Sequence, residues 1–128
     1  MDIEFCYIVE SGCVYEGGSV DVASLDFDKV VEYCLNLIKE KQVSDDRQND
    51  RMLKHHIEYA LKHPESYGIT DPEKYKGEDY VPSKKKWEEE EDPFSLGKYW
   101  SNGMDFISIR KEKFIKFSTI VHYNITYY

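Results

Sequence analysis

The stretch Ile3–Leu25, I-E-F-C-Y-I-V-E-S-G-C-V-Y-E-G-G-S-V-D-V-A-S-L, decides how the rest of the chain must fold. From Ile3 to Glu10 the residues alternate. Ile3, Phe5, Tyr7 and Val9 share one face, and Glu4, Cys6, Ile8 and Glu10 share the other. A period of two marks a β-strand with one face turned to a core. Cys6 and Ile8 make the second face half apolar, which predicts a strand inside a sheet rather than at its edge. Ser11-Gly12 and Glu16-Gly17-Gly18-Ser19 then supply residues that accept positive φ, so the chain turns back. Val20, Val22 and Leu25 read as the return strand of a hairpin.

The apolar face of that hairpin needs a cover, and the next segment supplies one. Ser24 or Asp26 is placed to cap a helix from about Phe27 to Lys41. Phe27, Val30, Val31, Cys34, Leu35 and Ile38 fall on one helical stripe, which must pack against the sheet and makes Cys34 a core residue. Asp26 and Asp28 near the start, with Lys39 and Lys41 near the end, match the helix dipole. Residues 44–51, S-D-D-R-Q-N-D-R, are wholly polar and read as a linker or a solvated first turn. Met52, Leu53, Ile57, Ala60 and Leu61 give a second, weaker helical face that ends before Pro64.

From Glu65 to Tyr99 the periodicity breaks down, punctuated by Pro72, Pro82, Pro93, Gly68, Gly77 and Gly97. So long an irregular connection is unusual in a compact domain. Its aromatics, Tyr67, Tyr75, Tyr80, Trp87 and Phe94, predict a packed insertion rather than disorder. The last third is β in character. Ser101-Asn102-Gly103 is a turn, and Met104 to Ile109 alternates with Phe106 opposed to Ile107 and Ile109. Beyond Arg110–Lys113, the positions Ile115, Phe117, Thr119, Val121, Tyr123, Ile125 and Tyr127 form one face of a further strand. The expectation is a single α+β domain spanning 1–128. Its antiparallel sheet comes from the N-terminal hairpin and the C-terminal strands, and one main helix packs on it. A second helix and an irregular insertion at about 65–99 complete the plan.

Composition narrows the function classes. A chain of 128 residues is long enough to bury roughly two-thirds of its unfolded surface without a disulfide or metal. The 25 acidic against 17 basic residues leave a formal charge of −8. That balance argues against nucleic acid, which needs a basic face, and against an anionic membrane. It suits a basic protein surface. No apolar run is long enough to span a bilayer and the start, M-D-I-E-F, is acidic, so the expected location is the cytoplasm. Cys6, Cys13 and Cys34 are an odd count without a C-x-x-C spacing, which fits reduced thiols.

Motifs for chemistry are sparse, and the chain reads as a non-enzymatic protein without cofactor. Gly12, Gly17 and Gly18 are followed by no Lys-Ser/Thr pair and lack the G-x-G-x-x-G spacing, so they do not form a phosphate loop. His55, His56 and His63 sit on or near the second helix without H-E-x-x-H spacing, and no metal site is expected. Cys13 is flanked by Glu10 and Glu16 rather than by the cations that a thiolate nucleophile needs. Two binding surfaces stand out instead. Trp87, Glu88, Glu89, Glu90, Glu91 and Asp92, which follow Lys84-Lys85-Lys86, form an acidic knob for a basic partner. Tyr15, Gly17, Gly18, Trp100 and Asn102 are the alternative: aromatics and an open backbone for a small molecule such as a nucleotide.

Tyr7–Val20, Y-I-V-E-S-G-C-V-Y-E-G-G-S-V, and Trp100–Ile109, W-S-N-G-M-D-F-I-S-I, resemble small proteins encoded by bacteriophages and their hosts. Those proteins open with a strand, a Tyr/Gly hairpin and a helix, and close with a Trp-bearing strand. The resemblance is confined to those two stretches and leaves 44–99 outside it. It implies a protein that binds and inhibits a host factor, including a defence protein, in the host cytoplasm. The C-terminal tyrosines on an edge strand would also suit a homodimer formed by strand pairing.

Overall fold

The computed structural model describes residues 2–93, 97–116 and 126–127, with 2–3, 114–116 and 126–127 described by backbone alone. The hairpin forms as the alternation predicts. Strand β1 (Asp2–Cys13) turns at 14–16 into β2 (Gly17–Ser24), pairing Val9 with Val22 and Gly12 with Gly18. The register shifts between Val9 and Glu10, which leaves Asp21 as an extra residue in β2. Its carboxylate accepts a 2.6 Å bond from the Ser11 hydroxyl. The paired glycines answer a close approach: a Cβ on Gly12 would sit 2.3 Å from the Gly17 carbonyl oxygen. Gly17 itself has φ 81°.

One helix, α1 (Phe27–Lys62), runs for 36 residues, or about 54 Å. Both predicted capping residues act at its start. The Ser24 hydroxyl accepts from the Asp26 N–H at 3.0 Å, and the Asp26 carboxylate accepts from the N–H groups of Asp28 and Lys29. The expectation of two helices, with 44–51 as a linker or a solvated first turn, is therefore corrected to one helix. No Gly or Pro interrupts 27–62, and nothing in the polar run stops the helical ladder. The Gln42 amide donates to the Asp46 carboxylate one turn on, at 3.0 Å. The helix ends at His63, before Pro64, with the His63 N–H bonded to the Ala60 carbonyl.

After an irregular stretch the chain returns as β3 (Glu88–Glu90), β4 (Gly97–Ser101) and β5 (Asp105–Lys116). The antiparallel sheet has the order β3-β4-β5-β1-β2, and a two-residue β6 (Thr126–Tyr127) lies parallel to the outer side of β2. Strand β1 is thus internal, as its half-apolar second face implied, flanked by β5 along its whole length. The irregular insertion is shorter than expected, because its last part supplies β3 and β4. Arg110–Lys113 do not interrupt the C-terminal strand but lie within β5. Most of the long alternating segment after Lys116 lies outside the described residues.

The first half of α1 covers one face of the sheet. Val30 and Cys34 pack with Val9, Val22, Trp100, Ile107 and Ile109, and with the partly buried Tyr7, Leu37, Ile38 and Trp87. Burial pushes the Cys34 thiol up to about 12, with the Asp21 charge adding to it, so this cysteine is inert core. Cys6, Ile8 and Ala23 make a smaller buried cluster on the opposite face. The second half of α1 carries the insertion. A Cβ on Gly77, which has φ 78°, would lie 2.7 Å from the Leu53 side chain and 2.9 Å from that of Ile57. The insertion therefore packs against the helix, as its aromatics predicted.

Candidate binding site at the sheet edge and its open face

Alternation along β5 sorts its side chains. Ile107 and Ile109 go under the helix, while Phe106, Ser108 and Arg110 share the face that the helix leaves open. Register places their neighbours. Tyr99 of β4 lies opposite Ser108, and Glu10 of β1 lies opposite Ser108 on the other side. A cavity of about 540 Å³ opens here, lined among the described residues by Glu10, Val14, Asp92, Tyr99, Phe106 and Arg110, with Gly17, Pro93 and Ser108. The Tyr99 and Phe106 rings stack with centroids 5.8 Å apart and planes 9° from parallel.

The electrostatics of this face are acidic. Arg110 is its one guanidinium, and two carboxylates bracket it. Nη1 lies 3.4 Å from Glu10 and Nε 3.1 Å from Glu112. The buried Nε makes no aligned hydrogen bond, so the Glu112 contact is an ion pair without hydrogen-bond geometry. Asp92 is almost fully buried in the wall. Burial pushes the Tyr99 phenol up, and the charges of Glu90 and Asp92 push it the same way, against a smaller opposing effect of Ser101.

The acidic block sits at the border of this face. Glu88–Glu90 form the outermost strand, with β4 as their neighbour. Glu89 pairs with Lys98 at 3.0 Å and Glu90 with Lys85 at 3.4 Å, while Glu88 and Glu91 are exposed. Trp87 turns the other way. It packs on the main core, and its indole N–H donates to Asp45 at 3.2 Å.

Asp45 is the centre of a polar network that the sequence did not mark. Its carboxylate also accepts from the Asn102 amide at 3.0 Å and lies 3.5 Å from the Lys84 ammonium. Lys84 bonds Asp105 at 2.9 Å, and that bond above all raises its pKa against the effect of burial. The network fastens the helix to the insertion and to the β4–β5 turn, where the Asn102 side-chain oxygen accepts from the N–H groups of Met104 and Asp105. The residues expected to hold a small ligand are consequently dispersed. Trp100 is core beneath the helix, Asn102 is buried in this network, and Tyr15 projects from the hairpin turn. Gly17 lines the open-face cavity.

The histidines also have structural settings. His56 Nε2 lies 3.1 Å from the Asp79 carboxylate and 2.9 Å from the Tyr75 hydroxyl, which itself donates to Asp79. His55 is exposed beside Glu58, and His63 caps the helix. Among the described residues, no group of three or more His, Cys, Asp or Glu side chains converges as a metal site would require, and no helix is long and apolar enough to cross a membrane. Alternation already separated Phe106 from Ile107 and Ile109, so the sides of β5 were readable. The contribution of Val14, Asp92 and Tyr99 needed the strand order. Comparison of the chain with protein-family models, with curated proteins and with solved structures found no match.

Proposed function

We propose that this chain is a non-enzymatic binding protein that recognises a basic segment of a partner protein. The setting implied by its likeness to phage-encoded proteins is inhibition of a host factor such as a defence protein. The observation that carries this reading is the position of the acidic run: Glu88–Glu90 form the outer strand of the sheet, and Glu91 and Asp92 continue from it. Like charges on an edge strand discourage pairing with a second copy of the same edge. The same row leaves the edge open to an extended segment of opposite charge, which gains main-chain bonds from the strand and charge complementarity from the glutamates. The chain's excess of acids works in the same direction over a longer range.

The test is affinity capture from bacterial lysate, comparing the wild-type chain with a Glu88→Lys/Glu91→Lys double variant. A stoichiometric partner that the wild type retains and the variant loses supports the reading. Absence of a partner, or capture unaltered by the charge reversal, contradicts it. A second reading, sequestration of a small molecule, draws on the volume of the open-face cavity, which is within the usual range for ligand sites. Mass spectrometry of the denatured purified protein tests that reading through any co-purifying compound.

A further inference from the structure

We propose that the open-face cavity is the anchor pocket for one basic side chain of the partner: a guanidinium or ammonium group carried on an apolar stem. This rests on the basic-partner reading above and gives it a specific point of recognition. The walls suit such a stem. Val14 and Pro93 are aliphatic, and the stacked Tyr99 and Phe106 rings offer aromatic surface. A cation above an aromatic face gains from the ring quadrupole, increasingly so as water is excluded.

The polar groups suit the charged head. Glu10 and Asp92 line the cavity, and Glu112 flanks Arg110. Glu10 and Glu112 engage the Arg110 guanidinium, and Asp92 adds a further carboxylate to the cavity wall. An incoming anion would have to displace Glu10 or Glu112 from Arg110. An incoming cation adds to the acidic side without breaking the Arg110 pairs. Burial first, and the charges of Glu90 and Asp92 after it, raise the Tyr99 phenol beside the cavity. Phosphate-bearing ligands such as nucleotides are thereby disfavoured. The cavity and the acidic edge lie along one path, because Asp92 and Pro93 come one residue after the end of β3 and line the cavity. A segment paired with β3 therefore has a side-chain pocket within reach.

The experiment is an amide NMR titration of the labelled full chain with three probes: blocked Gly-Arg-Gly, blocked Gly-norleucine-Gly and AMP. The arginine peptide should shift Val14, Gly17, Phe106 and Ser108 in the millimolar range and bind about tenfold more tightly than either other probe. Ser108→Phe, which fills the cavity from its floor, should abolish those shifts. Val14→Trp, placed on the exposed turn, should do the same without touching the core. No shift with the arginine peptide, equal binding of AMP, or binding unchanged in a folded cavity-filled variant would overturn the inference. Partner capture by the wild type without arginine-peptide binding refutes the cavity inference alone. Arginine-peptide binding without any captured partner refutes the edge reading.

Discussion

Asp45 shows how much one residue can contribute while looking like surface in the sequence. It stands in the polar run S-D-D-R-Q-N-D-R, yet its carboxylate meets Trp87, Asn102 and Lys84 and is only 13% exposed. Asp45→Ala should lower stability by about 2–3 kcal/mol, since it strands the Trp87 and Asn102 donors in a partly buried site. Asp46→Ala, which loses an exposed bond to Gln42, should cost at most about 0.5 kcal/mol. Urea unfolding followed by tryptophan fluorescence separates the two. Nothing in residue type distinguishes Asp45 from Asp46; only the return of the chain to the helix does so.

The His56–Tyr75–Asp79 cluster gives a pH dependence with a definite sign. The Tyr75 hydroxyl first, and His56 second, hold the Asp79 carboxylate below its usual range. The stability linked to Asp79 is full at neutral pH and is lost as pH falls through the ordinary carboxylate value and then the depressed one. Partial burial, followed by the bond to Asp79, pushes the Tyr75 phenol up to about 12. Its contribution is full below the ordinary phenol value and is lost as pH rises toward that raised value. Hydrogen exchange in peptides from 65–80, corrected for intrinsic rates, should be slowest near neutrality and faster at both extremes. Tyr75→Phe should flatten that profile. A profile that Tyr75→Phe leaves unchanged would remove the cluster as the anchor.

At the level of elements, the hairpin, the helix start and the α+β class were readable because each has a local cause: alternation in β1, Ser24 and Asp26 at the cap, and the stripe from Phe27 to Ile38. The single long helix was not readable, because its apolar face lapses between Ile38 and Met52. What covers that lapse is Asp45 and Gln42, whose polar side chains meet Trp87 from the insertion. Polarity there marks a polar interface and not a break in the helix. Gln48→Pro puts this directly to the test. In a linker it would be tolerated, whereas inside a continuous helix it should cost about 3 kcal/mol or more and reduce helical circular dichroism. The short edge strand Glu88–Glu90 was equally hidden, since a run of glutamates carries low β-propensity and only pairing with β4 makes it a strand.

For the whole molecule, two surfaces far apart in the sequence meet. Asp92 of the acidic block and Gly17 of the hairpin both line the open-face cavity. Trp87, placed in the acidic knob by proximity in sequence, is better explained as the core anchor of the insertion. On the proposed reading, the charge offered to a partner is carried by Glu88, Glu91 and the border of the open face.

Site-specific photo-crosslinking tests the central claim most directly. A photoreactive amino acid is placed at Glu91, beside the acidic edge, or at Glu40, on the exposed side of the helix, in otherwise wild-type chains exposed to bacterial lysate. The account predicts one dominant adduct from position 91 whose crosslinked peptide is rich in Lys or Arg, with no counterpart from position 40. An adduct formed equally from both positions, or an acidic or apolar peptide captured at 91, would contradict it.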